Sequence, residues 1–178
     1  NLTFSLTCSF VNELKVDHSI QSGGLFCSIS GPEIRNQKEF ITKLESEMRS
    51  MVDRNLPIQR SRLSLDEAKA MFTRRHQKEK VHLLKFRNKP YLTIYQLEDF
   101  IDYHYGYMVP STGYLKTFAI EPSLNANEFF LRYPKDMLTN EISPLNESPK
   151  MMLEFRRYGD WLNKLGIDSI ASLNEAIE

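Results

Sequence analysis

The residues best suited to chemistry lie in one stretch, from Asp102 to Ile120, which reads DYHYGYMVPSTGYLKTFAI. Its first thirteen residues include four tyrosines, a histidine, two glycines, a proline and a Ser-Thr pair. Glycine and proline at these positions are typical of a loop. Tyrosine and histidine combine a flat ring with a polar tip, as the linings of ligand pockets do. An aromatic-rich core corner with satisfied hydroxyls fits these residues equally well, so both alternatives stay open.

We expect a ligand-binding surface at this loop and no catalytic centre. The sequence has no phosphate-binding loop, dinucleotide fingerprint, HExxH pair or GxSxG elbow. The histidines lack zinc-ligand spacing, so we predict neither a catalytic residue nor a metal ligand. The ligand-binding candidates are the loop side chains that offer a ring or a hydrogen bond: Tyr103, His104, Tyr105, Tyr107, Ser111, Thr112, Tyr114 and Lys116.

The composition of the 178 residues is ordinary for a globular protein, with one domain or one domain and an appendage. The 23 basic and 23 acidic side chains cancel, which argues against a surface dominated by phosphate binding. Cys8 and Cys27 are isolated, as in proteins of a reducing cytosol. No apolar run has transmembrane length, so we expect a cytoplasmic protein without a membrane partner. The absence of an initial methionine leads us to expect a piece of a longer protein.

Apolar periodicity predicts an α+β fold, with an antiparallel sheet covered by helices on one side. The predicted strands cover residues 15–20, 25–29, 57–60, 81–87, 91–97, 115–120 and 128–133. The clearest helix is Gln37–Val52, and Ser64 with Glu67 forms a capping box for the next. A further helix begins at Ser148-Pro149 and is expected to bury Met152, Phe155, Trp161 and Leu162. Helices are also expected over 1–14 and 169–177.

The segments that carry a family resemblance are Val16–Ile20, Asn55–Arg60, Asp66–Ala68 with Phe72, Trp161, Leu173-Asn174 and, above all, Asp102–Leu115. They resemble the N-terminal region of bacterial uridine kinase-like proteins. The front half of that region is similar to the second N-terminal domain of threonyl-tRNA synthetase, its editing domain. The resemblance implies a synthetase-like α+β domain over residues 1–147 and a helical segment over 148–178, which leads to a kinase domain.

What the resemblance implies about partners concerns mostly the parent protein. A kinase domain would follow the chain as its partner and would use ATP and magnesium to phosphorylate uridine. The chain itself would need no cofactor. A small-molecule ligand and an oligomer are compatible with the resemblance, and tRNA is the less favoured partner.

The editing motif of the synthetase is altered at its polar positions. In the Cys-x-Gly-Pro-His-x-Pro motif, the cysteine falls on His104 and the histidine on Met108, whose thioether is neither acid nor base. The synthetase's His-x-x-x-His would fall near Phe4 and Cys8. We therefore expect a non-catalytic accessory domain that binds a ligand or regulates the kinase. The alternatives are an aminoacyl-tRNA deacylase in which His104 activates water, and a dimerisation domain.

Overall fold

A computed structural model describes residues 13–136, 140–146, 148–167 and 173. The chain divides into two compact units. The first comprises the chain up to Ile58 with Leu97–Phe100 and Met108–Glu147, and the second comprises Gln59–Gln96, Ile101–Tyr107 and the chain from Ser148. The helices expected over 1–14 and 169–177 fall almost wholly outside the described residues.

The predicted α+β class is confirmed, and the strands form two sheets. In chain order the elements are β1 (Glu13–Ser19), β2 (Gly24–Ser30), α1 (Gln37–Asp53), β3 (Gln59–Ser64), α2 (Leu65–Arg74), α3 (Lys78–Leu83), a 3-10 turn (Leu84–Phe86), β4 (Tyr91–Leu97), β5 (Phe100–Tyr103), a 3-10 turn (Thr112–Tyr114), β6 (Ala119–Pro122), β7 (Glu128–Arg132) and α4 (Pro149–Lys164).

The first unit contains a four-stranded antiparallel sheet with the order β1-β2-β7-β6. The hairpin between β1 and β2 turns at Gly23 and Gly24, as predicted. Gly24 has a φ of +142°, and an added Cβ would lie 2.4 Å from the Leu131 carbonyl oxygen. Only glycine therefore lets β2 approach β7 this closely.

Helix α1 supplies the other half of this unit's core. Its apolar residues recur at helical spacing, and Asn36 caps its first turn by accepting from the Glu39 amide at 3.3 Å. The buried side chains of the helix and of the sheet form one cluster, which also includes Leu97 at the end of β4 and Phe118 before β6: Leu14, Cys27, Ile29, Ile41, Leu44, Met48, Met51, Val52, Leu97, Phe118, Ile120, Phe129 and Leu131.

The second unit contains the sheet with the order β3-β4-β5 and the helices α2 and α3. The capping box at the start of α2 is present as predicted, because Ser64 accepts from the Glu67 amide while Glu67 accepts from the Ser64 amide at 2.8 Å. Ala68 and Phe72 of α2 are fully buried. They pack against Leu84 and against Leu92 and Ile94 of β4.

The strand predicted over residues 81–87 is wrong. This segment forms α3 and the 3-10 turn, and Val81 and Leu84, three residues apart, face the core of the second unit. A short apolar run fits a helix or a strand equally well, and packing decides between them. The neighbouring strand β4 exists as predicted, and it pairs with β3.

Helix α4 begins at Pro149 as predicted, and Gly166, with a φ of +73°, follows its last turn. The predicted burial of Phe155 and Trp161 is wrong, because they are 46% and 54% exposed. Amphipathic spacing shows which face of a helix is apolar, but it does not show what covers that face. The side chain of Met152 lies outside the description.

Within the described ranges, no helix is both long enough and apolar enough to span a bilayer.

Candidate functional site

The eight predicted ligand-binding residues divide between the two units. Those of the second unit are Tyr103, His104, Tyr105 and Tyr107, and those of the first are Ser111, Thr112, Tyr114 and Lys116. The loop passes from the second unit to the first after Tyr107. The residues that the sequence predicts as one site therefore belong to two surfaces, one on each unit.

One face of the β3-β4-β5 sheet carries basic and aromatic side chains. Arg60 and Arg62 are two residues apart on β3 and therefore point to the same face. Arg60 lies directly opposite Tyr95 of β4. Leu92 and Ile94 of β4 point to the opposite face and pack in the core beneath α2. The sheet thus has one polar face and one apolar face, which packs against α2.

Tyr95 anchors the loop that follows β5. Its hydroxyl donates to the Gly106 carbonyl oxygen at 2.7 Å, and its ring meets the His104 ring edge-on at a centroid distance of 6.4 Å. Tyr95 is buried, whereas Tyr105 and Tyr107 on either side of Gly106 are 79% and 89% exposed. The hydrogen bond to Gly106 therefore holds the loop where the rings of Tyr105 and Tyr107 are exposed to solvent.

Three arginines each lie over a tyrosine ring. The distances from guanidinium carbon to ring centroid are 5.1 Å for Arg60 over Tyr107, 5.0 Å for Arg62 over Tyr91 and 5.6 Å for Arg87 over Tyr105. These distances lie within the roughly 6 Å range of cation–π contacts. We call these six residues the Arg–Tyr surface.

The described residues do not neutralise the positive charge of the Arg–Tyr surface. None of its arginines forms an ion pair there, and Lys89 lines the same surface. Asp102 pairs instead with Lys80 at 2.7 Å and accepts from the Tyr103 amide at 2.8 Å. The surface therefore attracts anions, although the whole chain has no net charge.

Tyr103 is half-buried at the edge of this surface. Its ring meets Phe72 at 6.2 Å and Tyr105 at 5.8 Å, both edge-on. Burial, and after it the nearby Tyr105 and Asp102, raise the pKa of Tyr103 to about 12 against the opposing effect of Arg87. The Tyr103 hydroxyl is therefore a neutral donor at physiological pH.

His104 is exposed beside the Arg–Tyr surface. Its ring contacts Tyr95, and among the described residues its nitrogens have no hydrogen-bond partner. The Asp102 carboxylate, which lies nearest in sequence, is engaged by Lys80. His104 can thus hydrogen-bond a ligand or a water molecule, without a carboxylate that orients it as in a catalytic triad.

The cavity at this surface is small, with a volume of about 180 Å³. Pockets that enclose small molecules usually have roughly 300–1,000 Å³. A ligand of this surface would therefore lie across it and would not be enclosed.

In the first unit, the Ser-Thr pair of the loop is used within the fold. Thr112 is fully buried, donates to the Met51 carbonyl oxygen and accepts from the Leu56 amide at 2.8 Å. Ser111 donates at 2.6 Å to the side-chain oxygen of Asn55. These hydroxyls join the loop to the end of α1.

Tyr114 and Lys116 line an open depression of about 930 Å³ in the first unit. Arg49 lies in its wall, 4.8 Å from the Phe118 ring centroid, and donates to the Phe118 carbonyl oxygen at 3.2 Å. Tyr114 is 68% exposed. The depression is open, so it gives little enclosure to a ligand.

Sequence reasoning missed the basic residues of the second unit's surface: Arg60, Arg62, Arg87 and Lys89. The available signal was the two-residue interval between Arg60, at the end of the strand predicted over residues 57–60, and Arg62 just beyond it. Lys80, which ends another basic segment of the sequence, is engaged by Asp102.

Within residues 13–136, 140–146, 148–167 and 173, no three His, Cys, Asp or Glu side chains form a group that could bind a metal ion.

No protein-family model matches the chain. A threonine–tRNA ligase of Carboxydothermus hydrogenoformans is 34% identical over 146 residues, which are 74% of this chain and 23% of that protein. The enzyme of Thermotoga neapolitana is 37% identical over 91 residues, or 49% of this chain and 14% of that protein. That of Bacillus velezensis is 41% identical over 81 residues, or 45% and 13%.

The chain is similar to one part of threonine–tRNA ligases. It spans less than a quarter of the length of these relatives. The α+β fold with antiparallel sheets is like that of the synthetase editing domain. The synthetase half of the resemblance is thus supported, whereas the uridine kinase-like parent has no support from these relatives.

Proposed function

We propose that this chain is an aminoacyl-tRNA editing-type domain, which hydrolyses the ester between an amino acid and tRNA. The observation that carries the proposal is the similarity of 74% of the chain to a threonine–tRNA ligase. The exposed His104 beside a basic and aromatic surface supports it. The expected non-catalytic accessory role in a kinase is favoured less, since the relatives are ligases of tRNA. The ATP and magnesium expected for a kinase half remain a prediction.

The proposed reaction is an ester hydrolysis in which His104 accepts a proton from water. The resulting hydroxide attacks the carbonyl carbon of the amino acid, and the bond to the ribose oxygen breaks. That oxygen leaves as the ribose hydroxyl after it receives the proton from His104. General base catalysis of this kind contributes typically 10²–10⁴-fold.

The substitution at position 108 limits the proposed reaction. Met108 stands where the synthetase motif has its histidine, and a thioether cannot transfer a proton. His104 therefore acts without a second acid or base from this position. We expect slow turnover, in which substrate positioning contributes much of the rate.

The decisive experiment measures the hydrolysis of seryl- and threonyl-tRNA by the purified chain. We expect turnover of at least one of these esters, and a loss of about 10²-fold in rate for His104→Asn. His76→Asn is the matched control, because His76 is exposed and has a φ of +58°, a conformation that asparagine tolerates.

Two results would overturn this proposal. One is the absence of ester hydrolysis by the wild-type chain under conditions where it binds tRNA. The other is an equal loss of rate in His104→Asn and His76→Asn.

The same proposal includes three further expectations: a cytoplasmic location, tRNA as the partner and a domain boundary near residue 147.

A further inference from the structure

The Arg–Tyr surface has chemistry that the proposed hydrolysis does not require. Ester hydrolysis needs a water molecule, a base and a site that holds the carbonyl group of the ester in position. Three guanidinium groups stacked on three tyrosine rings are far more than that reaction uses. Tyr105 and Tyr107 are 79% and 89% exposed, so their rings contribute little to the core of the second unit.

The structure positions these exposed rings. Tyr95 binds the loop backbone at Gly106, and Arg60 and Arg87 lie over the rings of Tyr107 and Tyr105. A ring that is already oriented loses less conformational freedom when a flat ligand stacks on it. The surface is thus arranged to bind flat groups.

The charges specify the second chemical feature of the ligand. Arg60, Arg62 and Arg87 form no ion pair with the residues that the structure describes, and Lys89 adds a fourth cation. Guanidinium groups bind phosphate oxygens through two parallel hydrogen bonds. A ligand that alternates flat rings with phosphates satisfies both features, and a nucleic-acid strand has this composition.

The small volume of the cavity favours a strand that crosses the surface. A cavity of about 180 Å³ does not enclose a nucleotide chain, but it can receive the edge of one base. Stacking on tyrosine requires bases whose faces are free, and bases in a duplex are stacked on each other. A single strand is therefore the form that fits.

We infer that the Arg–Tyr surface binds single-stranded RNA by base stacking on Tyr105 and Tyr107 and by phosphate contacts from Arg60, Arg62 and Arg87. The choice of RNA over DNA rests on the proposed function. The binding mode does not, because it follows from exposed rings and from arginines that form no ion pair with the described residues. Recognition of this kind tolerates many base sequences.

The test is a fluorescence-anisotropy titration of the chain with a labelled single-stranded RNA of about 12 nucleotides and mixed sequence. The comparison probe is the same strand annealed to its complement. We expect single-stranded RNA to bind about tenfold or more tightly than the duplex, and Tyr105→Ala and Tyr107→Ala each to weaken it by about tenfold.

The charge contribution is tested with a matched pair of double variants. Arg60→Gln/Arg62→Gln is expected to weaken binding and to reduce the slope of log affinity against log salt by about 1.4, which is about 0.7 per phosphate contact on a single strand. Arg74→Gln/Arg75→Gln removes the same charge from exposed positions at the end of α2 and should leave the slope unchanged.

Three results would overturn the inference: equal or tighter binding of duplex RNA, tighter binding of single-stranded DNA of the same sequence, or an equal effect of the two double variants. The failure of each proposal can be distinguished. If RNA binds as expected and no ester is hydrolysed, only the proposed hydrolysis is wrong. If esters are hydrolysed and Arg60→Gln/Arg62→Gln binds RNA normally, only the present inference is wrong.

Discussion

Single residues of the central loop have roles that follow from their burial. Thr112 is fully buried and uses its hydroxyl in two hydrogen bonds, so it joins the loop to α1. Tyr107 is almost fully exposed, and Arg60 lies over its ring. The same loop thus contains one residue that stabilises the fold and one that is available to a ligand.

Tyr103 makes the stability of the chain depend on pH at high pH. Its pKa of about 12 exceeds the roughly 10 expected in the unfolded chain. Above about pH 10 the unfolded state loses the proton first, so the stabilisation from the neutral folded form decreases as pH rises towards 12. Urea unfolding should show a smaller loss of stability between about pH 9 and pH 11 for Tyr103→Phe than for the wild type.

The control for this prediction is Tyr158→Phe, because Tyr158 is 59% exposed on α4. It should retain the pH dependence of the wild type. An equally steep loss of stability in Tyr103→Phe would show that Tyr103 is not the responsible group.

At the scale of elements, one end of the four-stranded sheet depends on one buried cation. Arg132 at the end of β7 has no exposed side-chain surface. Its guanidinium group donates to the Gly23 carbonyl oxygen in the β1–β2 turn and to Glu121 of β6, both at 3.1 Å, and also to the Ser143 carbonyl oxygen. Three separate parts of the first unit are thereby joined.

Replacing Arg132 with methionine should destabilise the first unit strongly. The substitution keeps an apolar stem of similar shape but leaves buried carbonyl groups and Glu121 without their donor. A buried carbonyl group left without a donor costs about 1–3 kcal/mol, and Glu121, whose side chain is 39% exposed, adds less. Chemical denaturation should report this loss, whereas Lys15→Met, which removes the solvent-exposed pair with Asp17, should cost less than about 1 kcal/mol. Equal costs for the two variants would contradict the assigned role of Arg132.

At the scale of the whole molecule, the described residues form two hydrophobic clusters, one in each compact unit. Helix α4 follows residue 147, where we place the domain boundary. Leu153, Phe155 and Trp161 of this helix are 46–54% exposed. These three side chains therefore contribute little to apolar burial.

A chain that ends at residue 147 is expected to remain folded. Because Leu153, Phe155 and Trp161 bury little surface, the truncated chain should unfold cooperatively at a urea concentration close to that of the full chain. Circular dichroism is the suitable probe, since the truncation removes the single tryptophan. A loss of cooperative unfolding would show that residues 148–178 are part of the folded core and that the boundary is wrong.

Local patterns in the sequence determined those elements of this protein that depend only on residues close together in the chain. The Gly23-Gly24 turn, the capping box of Ser64 and Glu67, and the long apolar stripe of α1 were all predictable for this reason. The central loop was also identifiable, because its tyrosines are dense and its glycines and proline mark a turn.

Only the tertiary structure decided which side chains share a surface. Residues 81–87 became helical because Val81 and Leu84 face the core of the second unit. Ser111 and Thr112 were used within the fold, whereas Arg60 and Arg87, distant in sequence, came to lie over Tyr107 and Tyr105. The physical reason is that turns and caps depend on neighbouring residues, while a binding surface depends on strand register and packing between distant segments.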